Sequence, residues 1–225
     1  MKVQIYTMKT VDEARAVVAL GVDHVGVTPS DLGLPGEVDL ATARAIANAV
    51  RNLAVSVALS VDSDLAAIET MVRAVRPDIL HLCGLKNTLP PDAVRTLRER
   101  LPNVPIMQAI SVVGPEALDA ALAYAKVADY LILDTQAPDI AGIGASGMTH
   151  DWSISREIVR RVKIPVILAG GLSPENVADA ISVVHPWGVD SLTHTNRVLP
   201  GGGFRKDLDR IHQFVMAARE AWRKI

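Results

Sequence analysis

One cysteine, Cys83, stands among 225 residues, which excludes an intramolecular disulfide and leaves apolar burial to hold the chain together. Charge of neither sign dominates: 23 Lys and Arg against 25 Asp and Glu leave a formal net charge of -2, and no long Lys/Arg block occurs. The electrostatic footprint of a nucleic-acid or anionic-membrane partner is missing, so neither is expected. No apolar run reaches the ~18 residues of a transmembrane helix. Met-Lys-Val-Gln-Ile-Tyr enters a strand pattern with no signal-peptide signature, which makes the cytoplasm the expected compartment. Dense metal-ligand spacings such as His-x-x-x-His are also lacking. Asp62, His81 and Cys83 are the residues to consider for a divalent ion, but their pattern does not demand one, and neither metal nor cofactor is expected.

What is present is an apolar chain, 49% hydrophobic and 21% charged, suited to one well-buried domain over residues 1–225. Short apolar runs alternate eight times with longer segments of helical period. The runs are 3–8, 24–28, 54–60, 79–83, 104–110, 130–135, 166–169 and 189–193. The helical segments are 11–20, 40–52, 65–75, 92–100, 116–126, 153–162, 174–184 and 206–222. Such alternation predicts an α/β fold with a parallel sheet covered by helices, and eight units predict a closed (β/α)8 TIM barrel. A weak repeat accompanies it. "GVDHVGV", "RPDILHL", "VADYLIL" and "GVDSLTH" each set an Asp before an even-numbered strand, suggesting fourfold pseudo-symmetry.

Barrel chemistry sits at the carboxyl ends of the strands. That rule selects Tyr6 and Met8, Asp62, His81 and Cys83, Gln108, Asp134, the Gly170-Gly171 turn, and Thr193-His194-Thr195-Asn196. In "VILAGGLSPENVADAI" the two glycines separate a strand end from Ser173 and Pro174, which read as the N-cap and first residue of a helix. Bare backbone N–H groups at such a junction make an anion site, commonly for phosphate after strands 7 and 8. Its bland alternative is a tight turn that binds nothing. Asp134 follows the apolar run "YLIL", where a carboxylate is either a structural cap or a catalytic group with a raised pKa. Period-2 alternation points His81 and Cys83 into the barrel together. Cys83 reads either as inert packing or as a thiolate. Tyr6 reads as a packed aromatic or a catalytic phenol. His194 reads as a phosphate contact or a surface residue, and "LPGGGFRKD" as a flexible connection or a ligand cover.

The stretches "GVDHVGV", "LILDTQAPDIAGIGASGMTHDW", "PVILAGGLSPENVADAI" and "KDLDRIHQF" resemble phosphoribosylanthranilate isomerase over nearly the whole chain. The resemblance implies that Gly170 and Gly171 hold a 5-phosphate, that Gly144 belongs to the family's glycine-rich loop, and that Asp134 matches the general acid. It also marks departures. Tyr6 stands at or next to the family's general-base Cys, and a phenol of reference pKa about 10 is a poor base at neutral pH. After strand 2 the family's carboxylate-binding Arg is missing, because Pro35 is followed by Gly36. Strand 4 carries His81-Leu82-Cys83-Gly84, and strand 8 continues into Thr193 and His194.

These readings lead to an isomerase acting on a phosphorylated sugar or sugar adduct by acid/base proton transfer, with an altered aglycone site. The expected catalytic residues are Asp134 with Cys83, His81 or Tyr6. The expected phosphate contacts are Gly170, Gly171, Thr193, His194 and Gly144. A phosphorylated small molecule is the expected partner, and the chain is expected to be a monomer or homodimer. Two alternatives stay open: a genuine tryptophan-pathway isomerase with a relocated base, and a barrel that binds a phosphometabolite without turnover.

Overall fold

Strand follows helix in strict alternation along the computed structural model, which describes residues 1–84, 88–135 and 147–225. Its elements are β1 (Lys2–Ile5), α1 (Val11–Ala19), β2 (His24–Val27), α2 (Leu40–Val50), β3 (Val55–Ser60), α3 (Leu65–Val75), β4 (Ile79–Leu82), α4 (Pro91–Arg100), β5 (Ile106–Ser111) and α5 (Ala117–Tyr124). They continue with β6 (Tyr130–Asp134), α6 (Trp152–Arg161), β7 (Val166–Leu168), α7 (Val177–Val184) and β8 (Gly188–Ser191). A 3-10 turn at Thr193–Thr195, the hairpin β9 (Asn196–Val198) and β10 (Phe204–Lys206), and α8 (Leu208–Trp222) complete the chain. β1 to β8 pair in parallel and close as β1 meets β8, giving the (β/α)8 barrel the alternation predicts.

The pleat sorts each strand into two faces. Val3, Ile5, Val25, Val27, Ile106, Ile110 and Val189 join the layer between strands and helices. Val57, Ile79, Met107, Ala109, Ile132 and Ile167 pack a separate cluster inside the barrel. Gln108 lies between Met107 and Ala109 and is in register with Leu82 and Leu131, so it faces the helices and not the site. Helix starts follow local chemistry: Thr10, Asp39, Asp64, Asp151 and Asp207 accept backbone N–H bonds at the N-caps of α1, α2, α3, α6 and α8.

Most element ends fall within a few residues of the sequence reading, and the larger differences lie around the last two helices. α7 starts at Val177 after a turn in which Ser173 Oγ accepts from Glu175 N at 3.2 Å. Lys206 ends β10, and the last helix starts after its cap Asp207. The glycine run at 201–203 is the tip of the hairpin, with φ of 93°, 99° and 72°. On α8, Ile211, Phe214, Val215 and Ala218 are buried, whereas Leu208 and Trp222 are exposed.

The repeated Asp proves to be threefold. Asp23 accepts from Val3 N at 2.8 Å, Asp78 from Ser56 N at 2.8 Å, and Asp129 from Ile106 N at 2.9 Å. Each leading carboxylate thus holds the start of the preceding strand, while its own N–H bonds back to Val3, Ser56 or Ile106. In the fourth unit that backbone position belongs to Trp187, whose N–H bonds to Val166 O at 2.9 Å. Asp190 sits three residues further on, inside β8. Asp78 is the device in its fullest form, since it also accepts from Ser56 Oγ at 2.7 Å. Asp78→Ala strands a buried N–H and should cost about 1–3 kcal/mol in chemical denaturation. A loss below about 0.5 kcal/mol, the range of an ordinary surface change, would show that the carboxylate holds nothing.

Candidate active site

Parity places three residues abreast at the carboxyl end. Leu133, Leu168 and Val189 are register partners on β6, β7 and β8. One residue on, Asp134, Ala169 and Asp190 all turn inward, with the small Ala169 between two carboxyl groups. Neighbouring strands are about 4.8 Å apart, so the two aspartates lie two strands apart across one methyl group. Both line a recess completed by Gly147, Gly170, Gly171, Leu172, Ser191, Leu192, Thr193 and His194.

The turn at the floor of this recess is tightly built. Gly170 and Gly171 have φ of +80° and +62°, which other L-residues adopt only under strain. A Cβ on Gly170 would lie 2.7 Å from Thr135 Oγ1 and 2.9 Å from His150 Nδ1; one on Gly171 would lie 2.6 Å from the Met148 carbonyl carbon. The turn is fixed by Asn176 Nδ2 donating to Gly171 O at 3.0 Å and Ser191 Oγ donating to Leu172 O at 2.8 Å. His194 Nε2 meets Gly147 O at 3.0 Å, joining the loops after β6 and β8. His194 is thus a strut of the recess wall as well as one of its lining residues.

Burial controls the charges. It pushes Asp134 up to about 7, against the bond that its Oδ1 accepts from Thr135 N at 2.7 Å. Asp190 rises to about 8, through burial first and then the Asp134 charge, opposed by Gln4 and the Lys206 ammonium. Asp190 Oδ1 is buried with no hydrogen-bond partner among the described residues. His150 is lowered to about 4 by burial, so it is neutral; it joins Thr135 Oγ1 at 3.2 Å and Ser155 Oγ at 2.7 Å.

Tyr6, His81 and Cys83 come together inside the barrel, with Tyr6 and Cys83 in the apolar cluster that also holds Ala169. Tyr6 Oη and His81 Nδ1 are 2.9 Å apart inside the barrel. Burial drives the Tyr6 pKa well above its ordinary value and lowers His81 to about 3, which leaves both neutral near pH 7. Cys83 is buried in the same apolar cluster. None of the three lines the recess of Asp134 and Asp190, which does gather Gly170, Gly171, Thr193 and His194. Asp62 is exposed, its Oδ1 accepting from Asp64 N at 2.9 Å. Gly144 lies outside the described residues. Among the described residues no three His, Cys, Asp or Glu side chains cluster to hold a metal, and no helix is long and apolar enough to cross a membrane.

Sequence reasoning passed over Asp190, His150 and Lys206. Asp190 was hidden by its likeness to the three leading aspartates, although counting inward and outward positions from Gly188 would have revealed it. His150 stands in "THDW", a stretch that carries the family resemblance, just before the helix cap Asp151.

Comparison with known proteins gives the family and agrees with the barrel fold. The family model for N-(5'-phosphoribosyl)anthranilate (PRA) isomerase matches residues 3–215. The N-(5'-phosphoribosyl)anthranilate isomerase of Rhodopseudomonas palustris strain BisB5 is 36% identical over 220 residues, covering 96% of this chain and 95% of that one. Its namesake from Methanocella arvoryzae is 33% identical over 218 residues, covering 97% and 98%. The solved phosphoribosyl anthranilate isomerase of Thermotoga maritima superposes with a TM-score of 0.81 at 27% identity, covering 98% of this chain and 99% of that one. The chain belongs to the N-(5'-phosphoribosyl)anthranilate isomerase family, intramolecular oxidoreductases of the aldose-ketose type.

Proposed function

We propose that this protein isomerises a phosphorylated sugar or sugar adduct, moving a proton at the carbon next to a carbonyl or imine, with Asp134 and Asp190 as the acid/base pair. The observation that carries this reading is their shared recess, where two inward carboxyls flank Ala169 above a glycine turn. Aldose-ketose isomerisation needs one group to remove a proton and another to supply one. Two carboxyls raised by burial, Asp190 further by the Asp134 charge, satisfy both needs, because the pair can hold one proton between them near neutral pH.

The remainder of the recess suits the phosphate. The Gly170-Gly171 turn presents backbone where no side chain can intrude, and Thr193 and His194 form the opposite wall. A solved family structure in complex with reduced 1-(o-carboxyphenylamino)-1-deoxyribulose 5-phosphate has a TM-score of 0.79 with this chain, which supports a phosphorylated ligand. The base role, open in the sequence among Cys83, His81 and Tyr6, is assigned here to the aspartate pair. Tyr6 Oη and His81 Nδ1 are bonded to each other and Cys83 lies with them, while His81 Nε2 has no partner among the described residues and does not line the recess.

The direct test is hydrogen-deuterium exchange at the substrate carbon next to the carbonyl, followed by NMR with ribose 5-phosphate and phosphoribosylanthranilate as probes. The parent should exchange at least one of them, and Asp134→Asn or Asp190→Asn should each slow it by about 10²–10⁴-fold. No exchange with either probe would overturn the reading. Fast turnover of phosphoribosylanthranilate that vanishes in Asp134→Asn would instead identify a tryptophan-pathway isomerase with a relocated base. If the pair works with one proton between them, kcat/KM should be greatest between about pH 7 and about pH 8 and fall on both sides.

Stability should carry the same signature. Both carboxyls have folded pKa values above the ordinary 3.8, so the native state keeps protons that the unfolded chain releases. Their favourable contribution is complete below about pH 4 and is lost as pH rises through about 7 to 8. Asp134→Asn should therefore match the parent near pH 4 and exceed it at pH 9. A gain on the order of a few kcal/mol is expected, since each pKa unit by which the folded carboxyl lies above its unfolded value is worth about 1.4 kcal/mol. Equal stabilities at pH 9 would mean that the carboxylate is not held against burial.

A further inference from the structure

Opposite the phosphate turn, two aromatic rings occupy the mouth, each seated on a glycine of the β2 unit. The Tyr6 ring packs so closely on Gly26 that a Cβ there would fall within the ring's own envelope. Higher up, the Phe204 ring packs on Gly36, where a Cβ would lie 2.7 Å from Phe204 Cζ and would also strike Thr7 Oγ1. Gly36 has a φ of +72°, so both its conformation and its neighbours refuse a side chain.

The second ring is firmly held. Lys9 Nζ lies 4.8 Å and Lys206 Nζ 5.5 Å from the Phe204 centroid, close enough for both cations to act on the ring. Lys9 Nζ also donates to Phe204 O. Lys206 Nζ donates to Tyr6 O and, at 2.7 Å, to Asn196 Oδ1. Glu13 ties the base of the assembly, accepting from Lys9 N at 2.8 Å and from Lys206 N at 2.9 Å. The two rings are thereby coupled through one ammonium group.

We propose that Phe204 is a specificity-determining residue, closing with Tyr6 the sector into which a substituent on the sugar's carbon 1 would extend. The substrate is then a pentose phosphate whose carbon 1 is bare or bears a small uncharged group. This inference rests on the phosphate placement proposed above. With phosphate on the Gly170-Gly171 turn and the reacting carbons over Asp134 and Asp190, the far end of the molecule must cross the mouth toward β1 and β2. The loop it meets there, residues 29–39, carries Asp31, Glu37 and Asp39 and no Lys or Arg. Glu37 is committed to that loop, accepting from Ser30 Oγ at 2.9 Å and from the N–H groups of Leu32, Gly33 and Leu34 at 3.0–3.1 Å. An aryl group would collide with the rings, and the two ammonium groups by the Phe204 ring, Lys9 and Lys206, are bonded to Phe204 O, Tyr6 O and Asn196 Oδ1 instead of standing ready to clamp a carboxylate.

The test is calorimetric binding of two probes, ribulose 5-phosphate and reduced 1-(o-carboxyphenylamino)-1-deoxyribulose 5-phosphate, to the full chain, to Phe204→Ala and to Phe204→Leu. The parent should bind ribulose 5-phosphate at least as tightly as the aryl compound. Phe204→Ala should tighten the aryl compound by about tenfold or more, with ribulose 5-phosphate changing by less than about threefold. Phe204→Leu, which keeps an apolar plug, should retain the parent's ranking. A parent that prefers the aryl compound by about tenfold overturns the inference without any variant. So does a Phe204→Ala ratio equal to the parent's, and in both cases the phosphate reading stands. Binding of neither probe to the parent overturns the phosphate reading, and the inference with it.

Discussion

In a closed parallel barrel, each residue of a strand is committed to the interior or to the helices, and the commitment reverses at every step. The site of this protein follows from that constraint. It brings Asp134 and Asp190 inward at one height, with Ala169 between them. It turns Gln108 outward, although Gln108 lies near the same end of its strand. It also puts Tyr6 and His81 on the inner face, where their polar atoms meet across the lumen at 2.9 Å. A register shift of one residue would exchange every one of these assignments. The aspartates that lead β2, β4 and β6, bonded to Val3, Ser56 and Ile106, therefore bear on the site even though they sit at the opposite end of the barrel.

Once parity has delivered two carboxyls to an apolar wall, electrostatics gives them their character. Among the described residues neither has an adjacent ion pair that would return it to the ordinary carboxylate range. Asp134 has one backbone N–H, and Asp190 Oδ1 has no partner among the described residues. Lys206 opposes the rise of Asp190, but its Nζ is committed to Tyr6 O and Asn196 Oδ1. The surrounding structure works by rigidity: the Gly170-Gly171 turn is bonded at Gly171 and Leu172, and His194 braces Gly147. Such a site gives up stability to keep protons where neutral-pH chemistry uses them.

Much of this is legible in the sequence, for identifiable reasons. Alternating apolar runs and amphipathic segments report burial directly, so the eight-unit barrel and its strands could be read with small errors at the ends. Asp134 and the double glycine could be read because each stands at a strand end beside a run of apolar residues. Asp190 could not be read from the same signal. Its motif, Gly-Val-Asp, repeats that of Asp23, but β8 starts at Gly188 where β2 starts at His24. The same three letters therefore fall outside the barrel in one unit and inside it in another. α7 was placed too early for a similar reason, since Ser-Pro-Glu-Asn satisfies the preferences of a helix start while forming a preceding turn.

The departures from the family pattern are coordinated in space, which the sequence alone does not display. A ring at position 6 needs the space left by Gly26, and a ring at 204 needs the space left by Gly36. Placing Arg after Pro35 would thus require a left-handed backbone and displacement of Phe204, which Lys9 and Lys206 hold by its ring and its carbonyl region. Single changes at these positions meet packing opposition from their partners, so the cluster changes as a unit or not at all. The Gly170-Gly171 turn has packing partners of its own, Thr135, His150 and the Met148 backbone, and shares none of them with the glycines under Tyr6 and Phe204. On the proposed reading, one barrel keeps an anion-binding turn and a proton-transfer pair while the opposite sector is rebuilt for another substituent.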